Sequence, residues 1–473
     1  MRASVHIQVP KLTHGGSDAK AKAVCKPLGL SVRGMGGEHT PIGADGTIDL
    51  SPSARLCIQE AEIICALYEG IRNLKAEEDK CKEVAPTSDY GGVVKGDVKD
   101  TDTFEYFTYD KCPEFTKKHR SLMAKELPAV WDKLKDKKSS KGYTLSNAIQ
   151  TGVETPHLGV GITVGDEESW EIFKDLLYPV IKGWHNHDPE TKDHPTDLDY
   201  TKIQMSKTQT KKFNKYVEST RIRAARNISG LALPSGTDDA DRAAVESTLV
   251  KAFAAFPGDL KGTYYPLTGM QDSIGDGLRK EGFLFQEPKR TNLLTMAGAA
   301  RNWPASRGIF HNDAKTALCW VNEEDHCRII SMSKDGNVAD VFKRFCDIST
   351  NLSKIATDQG TKLMHSKKLG FLGTCPSNLG TGMRASVMIV LPELNKNVEQ
   401  LELICGSFDL QPRGSAGEHS AAVGGKWDVS NKQRLGFSEV ELVQKMVSGV
   451  EKLIACEEKL ARGEKLVKGV DYP

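Results

Sequence analysis

The 473-residue chain lacks several features that would place it in a specialised class of protein. It contains no run of about 18 apolar residues, which argues against a transmembrane helix, and its first residues lack the apolar core of a secretory signal. Its 11 cysteines show no CxxC or CxxH spacing, so neither a zinc site nor a disulfide framework is predicted. Reduced thiols in a cytoplasmic protein are therefore the better expectation.

An excess of charge of either sign is also missing. The chain has 64 Lys and Arg residues against 63 Asp and Glu residues, for a net charge of +1. This balance gives no reason to expect a nucleic acid or an anionic membrane as a partner, although local basic patches can still bind phosphates. The length allows two or three domains with sizeable cores.

An internal repeat is present and divides the chain. Three N-terminal segments recur in the same order near the C-terminus: residues 1–5 match 383–387 (MRASV), 33–39 match 413–419 (RGMGGEH and RGSAGEH), and 51–56 match 430–435. We interpret residues 1–78 as a partial copy of the C-terminal part. Such a copy is either the tail of an upstream domain in a truncated gene model or a decayed tandem duplicate, and a packed accessory domain is the alternative.

The rest of the chain changes character along its length. Residues 79–104 are polar and read as a linker, residues 105–195 carry the apolar spacing of helices, and residues 196–212 are polar enough to bridge two lobes. Residues 213–465 mix short strands with longer helices, which predicts an α+β lobe on an antiparallel sheet. The predicted strands are 317–321, 328–332, 386–391 and 401–404, and the predicted helices are 240–255, 337–356 and 438–461.

Arginine occurs where a plain surface would use lysine. Arg221 and Arg223 are two residues apart and would share one face of a strand, while Arg328, Arg384 and Arg413 adjoin acidic or glycine-rich segments. Planar, forked guanidinium donors suit phosphate oxygens. Taken singly these residues could be surface arginines in ordinary salt bridges, but their order along the chain together with the loops favours phosphate binding.

Four segments resemble the phosphagen (ATP:guanido) kinase family. Residues 375–381 (CPSNLGT) are similar to its signature segment, and residues 261–270, 308–313 and 322–326 (NEEDH) resemble its arginine kinase branch. The resemblance runs from about residue 125 to 462 and is weakest at 185–216. It implies a small all-helical domain followed by a larger lobe of antiparallel sheet flanked by helices.

The resemblance also implies an activity, which is reversible transfer of the ATP γ-phosphate to a guanidino compound. L-Arginine is the first candidate, and taurocyamine or another guanidino compound is the alternative. ATP or ADP and the guanidino compound would be the partners, with Mg²⁺ bound through ATP rather than by a protein metal site. Monomers and dimers both remain open.

Site residues follow from the same resemblance. Glu324 would orient and deprotonate the guanidino nitrogen, Glu418 would be the second carboxylate, and Cys375 would be a thiolate whose pKa nearby cations lower. The guanidino-binding loop would comprise Leu158, Gly159, Val160, Gly161 and Ile162. The ATP-binding residues would be Ser219, Thr220, Arg221, Ile222, Arg223, Arg328, Arg384, Ala385, Ser386, Val387, Met388, Arg413, Gly414, Ser415, Ala416, Gly417 and Glu418.

The chain departs from the family pattern at several positions. Gly282 and Met388 stand where the family has histidines near adenine, so nucleotide affinity or preference is expected to differ. Leu158, Thr163 and Trp184 replace a Ser and two Tyr residues near the substrate, which makes taurocyamine credible. A non-catalytic binding protein that keeps the fold is the alternative of another class.

Overall fold

The computed structural model describes residues 5–8, 19–25, 30–33, 47–52, 71, 106–285, 287–288, 293–414 and 424–473. The chain divides into two compact units, Met1–Asp89 and Tyr90–Pro473. The predicted linker 79–104 and four predicted site residues, Ser415, Ala416, Gly417 and Glu418, lie outside the described residues.

The described part of the first unit contains a small antiparallel sheet and a helix. Its elements are β1 (Val5–Gln8), α1 (Ala19–Cys25), β2 (Leu30–Arg33) and β3 (Thr47–Pro52). The strand order is β1-β3-β2, so the last strand lies between the first two.

The second unit begins with a helical region, as predicted. Its helices are α2 (Leu122–Leu134), α3 (Leu145–Glu154), α4 (Ser169–Ile172) and α5 (Lys174–His185). Ser121 caps α2 by accepting a hydrogen bond from the Ala124 N–H, and Thr144 forms a capping box with Asn147 at the start of α3. The apolar faces of these helices meet in one core that includes Leu127, Trp131 and Phe173.

A short helical turn, Tyr200–Lys202, and α6 (Lys207–Phe213) follow and occupy much of the predicted bridge at 196–212. The larger lobe then contains further helices: α7 (Asp239–Ala254), α8 (Asp272–Lys280), α9 (Leu293–Met296), α10 (Val338–Asp358), α11 (Val398–Gly406) and α12 (Glu439–Ala461). None of the helices in the described part of the chain is long and apolar enough to cross a membrane.

An eight-stranded antiparallel sheet forms the centre of this lobe. Its strands are β4 (Val217–Arg226), β5 (Gly262–Pro266), β6 (Gly308–Asn312), β7 (Ala317–Val321), β8 (Cys327–Ser333), β11 (Met383–Val390), β12 (Leu410–Gly414) and β13 (Lys426–Asn431). They lie in the order β12-β13-β11-β4-β8-β7-β6-β5. A separate two-stranded pair is formed by β9 (His365–Ser366) and β10 (Gly370–Phe371).

One face of the large sheet is covered by helices. Alternate residues of β4 and β11, such as Ile222, Ala385 and Val387, are buried in the same core as side chains of α7, α10, α11 and α12. Burying a side chain of the size of Ile222 or Val387 stabilises the fold by roughly 1.5–3 kcal/mol. The predicted α+β class with an antiparallel sheet and flanking helices is confirmed.

Most of the predicted elements are present, but one strand is wrong. The strands predicted at 317–321, 328–332 and 386–391 correspond to β7, β8 and β11, and the three predicted helices correspond to α7, α10 and α12. Residues 401–404 instead lie inside α11, whose N-terminus is capped by the Asn397 side chain. Leu401, Ile404 and Cys405 have helical spacing and are buried, so tertiary packing selects the helix.

Candidate active site

The second face of the large sheet carries a row of arginines. Arg223 on β4 lies directly opposite Arg384 on β11, and Arg221 lies opposite Ser386. Directly paired residues project to the same face, and alternate residues along a strand share a face. By the same registers, Arg328 on β8 and Arg413 on β12 join this surface. We call these five residues the arginine face: Arg221, Arg223, Arg328, Arg384 and Arg413.

The arginine face is electrostatically unfavourable when nothing anionic lies on it. Burial, together with the neighbouring Arg328 and Arg384, lowers the pKa of Arg223 to about 9. Burial and the same two neighbours also lower the pKa of Arg221. Among the described residues, neither Arg221 nor Arg223 makes an ion pair with a carboxylate. A bound polyanion would relieve this repulsion.

Two other members of the face are paired with acids. The Arg384 Nη2 atom lies 2.7 Å from Asp428 Oδ2. The Arg328 Nη2 atom lies 2.8 Å from an oxygen of Glu323 and 2.8 Å from an oxygen of Glu324. Burial opposes the charge of Arg328, but the two glutamates outweigh it and the pKa of Arg328 is raised. Asp428 thus lies within the row, on β13, whereas Glu323 and Glu324 lie at its β8 end.

A small pocket opens between the arginines at the acidic end of the row. It is lined by Arg223, Ala224, Ala225, Arg328, Asn378, Gly382, Arg384 and Arg434. Arg434 was missed as a site residue, although it lies in the repeated segment 430–435. It donates a 2.8 Å hydrogen bond to the Ser377 carbonyl and another to Asn378 Oδ1, and burial lowers its pKa to about 10. Four guanidinium groups therefore surround a space suited to a phosphoryl group.

The acidic segment 322–326 is a turn between β7 and β8 that is anchored at both ends. Asn322, in the left-handed region with φ of 55°, donates to the carbonyls of Arg242 (3.0 Å) and Ser306 (2.8 Å). His326 Nδ1 accepts from the Ile228 N–H at 3.0 Å, which leaves Nε2 to donate to the Ala232 carbonyl at 2.8 Å. Burial lowers the pKa of this histidine to about 4, so it is neutral.

Glu324 projects from this anchored turn toward the pocket. Its Oε2 accepts from Arg328, and its Oε1 accepts from Asn378 Nδ2 at 3.1 Å. Since Asn378 also contacts Arg434, the carboxylate lies at the boundary between the arginine row and the segment that contains Cys375. A group between Glu324 and the pocket could be oriented by the acid and attack a bound phosphoryl.

Cys375 is buried beside this carboxylate and differs from the expected thiolate. Its Sγ lies 3.2 Å from Ser377 Oγ. Burial, followed by the negative charge of Glu324, raises the pKa of Cys375 to about 12. In contrast to the predicted thiolate, burial and the nearby Glu324 charge favour the neutral thiol in this structure.

The predicted guanidino loop, residues 158–162, connects α3 to α4. The carbonyls of Gly159 and Val160 accept hydrogen bonds from the first N–H groups of α2, those of Leu122 (2.8 Å) and Met123 (3.1 Å). Val160 and Ile162 are buried in the helical core, whereas Gly159 is exposed and Leu158 is half-buried. The sequence thus fixes the loop on the helical domain and leaves its tip accessible.

Trp184 of α5 lies against the tip of this loop. A Cβ atom on Gly159 would lie only 2.7 Å from the Trp184 ring, so a larger residue there would displace the ring or the loop. Trp184 is 48% exposed, which is unusual for tryptophan. An apolar ring therefore occupies the rim of the loop where the family pattern has a phenol.

The loop is also linked to the segment that contains Cys375. Thr163 is buried, and its Oγ1 lies 3.3 Å from the Tyr143 hydroxyl. The Thr163 hydroxyl is therefore directed into the domain. The next residue, Val164, donates its N–H to the Thr374 carbonyl at 2.8 Å. One backbone hydrogen bond thus joins the two segments.

The remaining predicted nucleotide residues divide between the two faces of the sheet. Ser219, Ser386 and Met388 share the arginine face, and Gly414 ends β12 beside Arg413. The side chains of Ile222, Ala385 and Val387 lie in the core on the opposite face, because they alternate with the arginines. Thr220 also lies on that face and donates to the Asp335 carbonyl at 2.8 Å. Their side chains therefore lie away from the arginine face, and their nucleotide contacts stay a prediction.

The two positions that depart from the family histidines are both described. Met388 is half-buried on the arginine face, opposite Ser219 on one side and Asp428 on the other. Gly282 is exposed with φ of 73° in the turn after α8, and a Cβ there would meet no atom within 4 Å. Neither position supplies an imidazole.

The described residues contain no group of three or more His, Cys, Asp or Glu side chains that could hold a metal ion. Near the pocket, Glu323, Glu324 and Asp428 are all engaged by arginines. These carboxylates fit a metal that is held through a bound polyphosphate better than one held directly by the protein.

Comparisons with known proteins agree with this geometry. The family model for the C-terminal catalytic domain of ATP:guanido phosphotransferases matches residues 1–81 and 244–460. The model for the N-terminal domain of the same family matches residues 117–182. The catalytic model thus matches the chain in two places.

Relatives with different named substrates match the chain. It is 39% identical over 472 residues to the flagellar creatine kinase of Strongylocentrotus purpuratus, with 98% of this chain covered but only 39% of that protein. A lombricine kinase crystal structure matches with a TM-score of 0.70 and 39% identity, covering 75% of this chain and 96% of that one. The duplicated taurocyamine kinase of Schistosoma mansoni, solved with bound transition state analogue components, matches with a TM-score of 0.64 and 32% identity, covering 97% of this chain and 61% of that one.

The chain therefore spans well under half of the creatine kinase that it matches from end to end. The matched domains, the identity to relatives and the arginine-lined pocket beside a paired acid lead to one conclusion. The chain belongs to the ATP:guanido phosphotransferase, or phosphagen kinase, family.

Proposed function

We propose that this protein catalyses reversible transfer of the γ-phosphoryl group of ATP to a guanidino compound. The observation that carries the proposal is the pocket formed by Arg223, Arg328, Arg384 and Arg434, with Glu324 at its edge. Phosphoryl transfer depends on in-line positioning and charge neutralisation more than on covalent help from the protein. The arginines support charge neutralisation, and the carboxylate of Glu324 is proposed to orient the nucleophile.

The positions of the acids suggest the direction in which the nucleotide lies. Glu324 marks the end where the nucleophile is oriented, so the transferred phosphoryl belongs in the adjacent pocket. The other phosphates would extend along the arginine face toward Arg221 and Arg413. The nucleoside would lie toward Met388, which is two residues beyond Ser386 on β11. A methionine there would contact the base through its polarizable side chain rather than through a hydrogen bond.

During the transfer step, Glu324 would exchange its contact with Arg328 for one with the guanidino substrate. In the structure it is paired with Arg328, and bound phosphate would compete for that guanidinium. Glu324 would then accept a proton from the guanidino nitrogen as this nitrogen attacks phosphorus. The new N–P bond forms while the bond from phosphorus to the ADP oxygen breaks. Cys375 would contact the substrate as a thiol, and Glu418 is proposed as the second carboxylate.

Mg²⁺ is proposed to reach the site with the nucleotide. Its ligands would be phosphate oxygens and water, because the nearby carboxylates are held by arginines. When bound, it supplies charge neutralisation at the phosphates. The arginine face complements it from the protein side.

L-Arginine is our first substrate candidate, since the loop at 158–162 has the length found in arginine kinases and Glu418 fits that branch. Taurocyamine is the alternative. Its case rests on Thr163, whose hydroxyl contacts Tyr143 and is not offered to a substrate carboxylate, and on the taurocyamine kinase among the structural relatives. Creatine and lombricine belong in any test because relatives carry those names.

The domain organisation is proposed as follows: a partial catalytic copy at 1–78, a linker at 79–104, the helical domain at 105–195, a second linker at 196–212 and the catalytic domain at 213–465. Strand registers support the first assignment. β1 pairs with β3 so that Val5 meets Leu50, and β11 pairs with β13 so that the repeat-equivalent Val387 meets Val429. β2 and β12 reproduce the same order and offset, and the catalytic family model also matches 1–81.

The experiment that tests the proposed function is ADP release from MgATP with arginine, taurocyamine, creatine, glycocyamine and lombricine in turn. Turnover with one compound is expected and identifies the substrate. If a folded protein turns over none of them, a thermal shift with MgADP decides between an untested guanidino substrate and a non-catalytic binding protein. A nucleotide at 100 times its Kd stabilises the native state by about 2.7 kcal/mol, so a real site gives a clear shift.

A further inference from the structure

Asn227 lies at the junction of several active-site segments. It directly follows Arg226, the last residue of β4, and is fully buried. Its Nδ2 donates to Asp325 Oδ1 and to the Leu372 carbonyl, both at 2.9 Å. Its Oδ1 accepts from the His326 N–H at 2.7 Å. Every hydrogen-bonding group of the amide except the second lone pair of its oxygen is therefore used.

Asp325 completes the connection. Its Oδ1 accepts from the Thr374 N–H at 2.8 Å as well as from Asn227. The fit is close, since a Cβ on Gly373 would lie 3.2 Å from the same oxygen. We call Asn227 and Asp325 the brace. Together they tie the segment at 322–326 to the segment at 372–378.

Each braced segment contributes one proposed active-site group. Glu324 precedes Asp325 in the chain, and Cys375 follows Thr374. The other described link between the groups is the 3.1 Å hydrogen bond from Asn378 to Glu324, which joins two partly buried side chains. The brace is buried and uses backbone groups, so it is the more rigid connection.

We propose that Asn227 is a positioning residue, which fixes the Glu324 carboxylate relative to Cys375 and so sets the geometry for the attacking guanidino nitrogen. The proposal rests on the proposed function. Asn227 itself is covered by the two segments and acts through them. A displacement of about 1 Å in such a site can reduce turnover by about 100-fold.

The sequence offers variants that separate positioning from stability. Asn227→Ala removes all three hydrogen bonds. Asn227→Asp keeps the shape but replaces both N–H donors with acceptors beside Asp325. Asn312→Asp is a matched control, because Asn312 is equally buried and its amide makes four hydrogen bonds around Thr316, at a distant turn between β6 and β7.

The test measures the melting temperature, kcat and both KM values of the wild type and the three variants with the substrate found in the panel. All three variants are expected to melt at lower temperature. The Asn227 variants are expected to lose roughly 10- to 100-fold in kcat, with KM for MgATP changed by less than about 3-fold because the arginine face is intact. Asn312→Asp is expected to keep the wild-type kcat.

The proposal is overturned if folded Asn227 variants keep kcat within about 2-fold of wild type, or if Asn312→Asp loses kcat in proportion to its melting temperature. It is also overturned if neither Asn227 variant folds, because the residue then serves folding. An inactive wild type defeats the proposed function itself, whereas an active wild type with equally active variants defeats the brace alone.

Discussion

Arg223 on β4 and Arg384 on β11 are directly paired across the two strands, so two like charges are neighbours on one face of the sheet. Burial and this neighbour contribute to the lowered pKa of Arg223. The repulsion between these two guanidinium groups lowers the stability of the protein unless an anion binds between them.

Arg223→Gln is expected to raise the melting temperature of the nucleotide-free protein, because it removes repulsion with Arg384 and Arg328. The same change should lower kcat/KM for MgATP by two or more orders of magnitude. Arg226→Gln, on the opposite face of the same strand, is the control: it breaks a buried pair with Glu439 and should destabilise the fold by roughly 3–5 kcal/mol. A lower melting temperature for Arg223→Gln would contradict the repulsion.

Glu324→Gln is expected to cut turnover by orders of magnitude while the melting curve stays cooperative, since it removes the proposed proton acceptor. Glu323→Gln is the matched comparison, because both acids lie 2.8 Å from the same Arg328 nitrogen. Steady-state kinetics of the two variants show which acid acts on the substrate. An unchanged rate for Glu324→Gln would remove its assigned role.

Alkylation of Cys375 should show the raised pKa of about 12 directly. Only the thiolate reacts, so the rate constant for iodoacetamide at this residue should increase with pH across the whole range from 7 to 10 without reaching a plateau. Peptide mapping by mass spectrometry distinguishes Cys375 from the other cysteines. A plateau below pH 8 would mean that the thiolate originally expected from the sequence is the resting form.

Gly159→Ala should raise KM for the guanidino substrate, because the added methyl group would lie 2.7 Å from the Trp184 ring and displace either the loop or the indole. Trp184→Ala made in the same chain should restore part of the loss. KM for MgATP should stay unchanged in all three variants, since neither residue touches the arginine face. Independent, additive effects in the double-mutant cycle would show that the two positions do not act through each other.

Deletion of residues 1–78 should leave a folded and active kinase, because the second unit is compact by itself and contains the described active-site residues. Circular dichroism and the ADP-release assay check both points. Failure of the shortened chain to fold would show that the N-terminal copy is part of the catalytic core.

The sequence alone predicts which face of the strand the arginines share, but it does not predict the side chains that surround them. The period of two in a strand predicted that Arg221 and Arg223 share a face, and the sheet confirms it. The protonation of Cys375 could not be predicted, because it depends on burial and on Glu324, a residue 51 positions earlier in the chain. The short apolar run at 401–404 has no clear period and is compatible with a strand, and only the cap at Asn397 and the neighbouring core select the helix.

Asn227 illustrates the same limit more strongly. It belongs to no recognised segment, and its side-chain partners lie 98, 99 and 145 positions away. Arg434 was similarly overlooked, although its repeat-equivalent position in the N-terminal copy is also arginine, Arg55. Contacts of this kind arise from the pairing of distant strands, which a single sequence does not specify.

The repulsion among the arginines of the arginine face has a consequence for the life of the protein in a cell. A site that repels itself when empty makes the nucleotide-free chain the less stable form, and bound nucleotide shifts it toward the native state. Chains without nucleotide would then be the first to be unfolded and degraded. The abundance of the protein would follow the supply of adenine nucleotides. Its rate of degradation would then depend on the energy state of the cell.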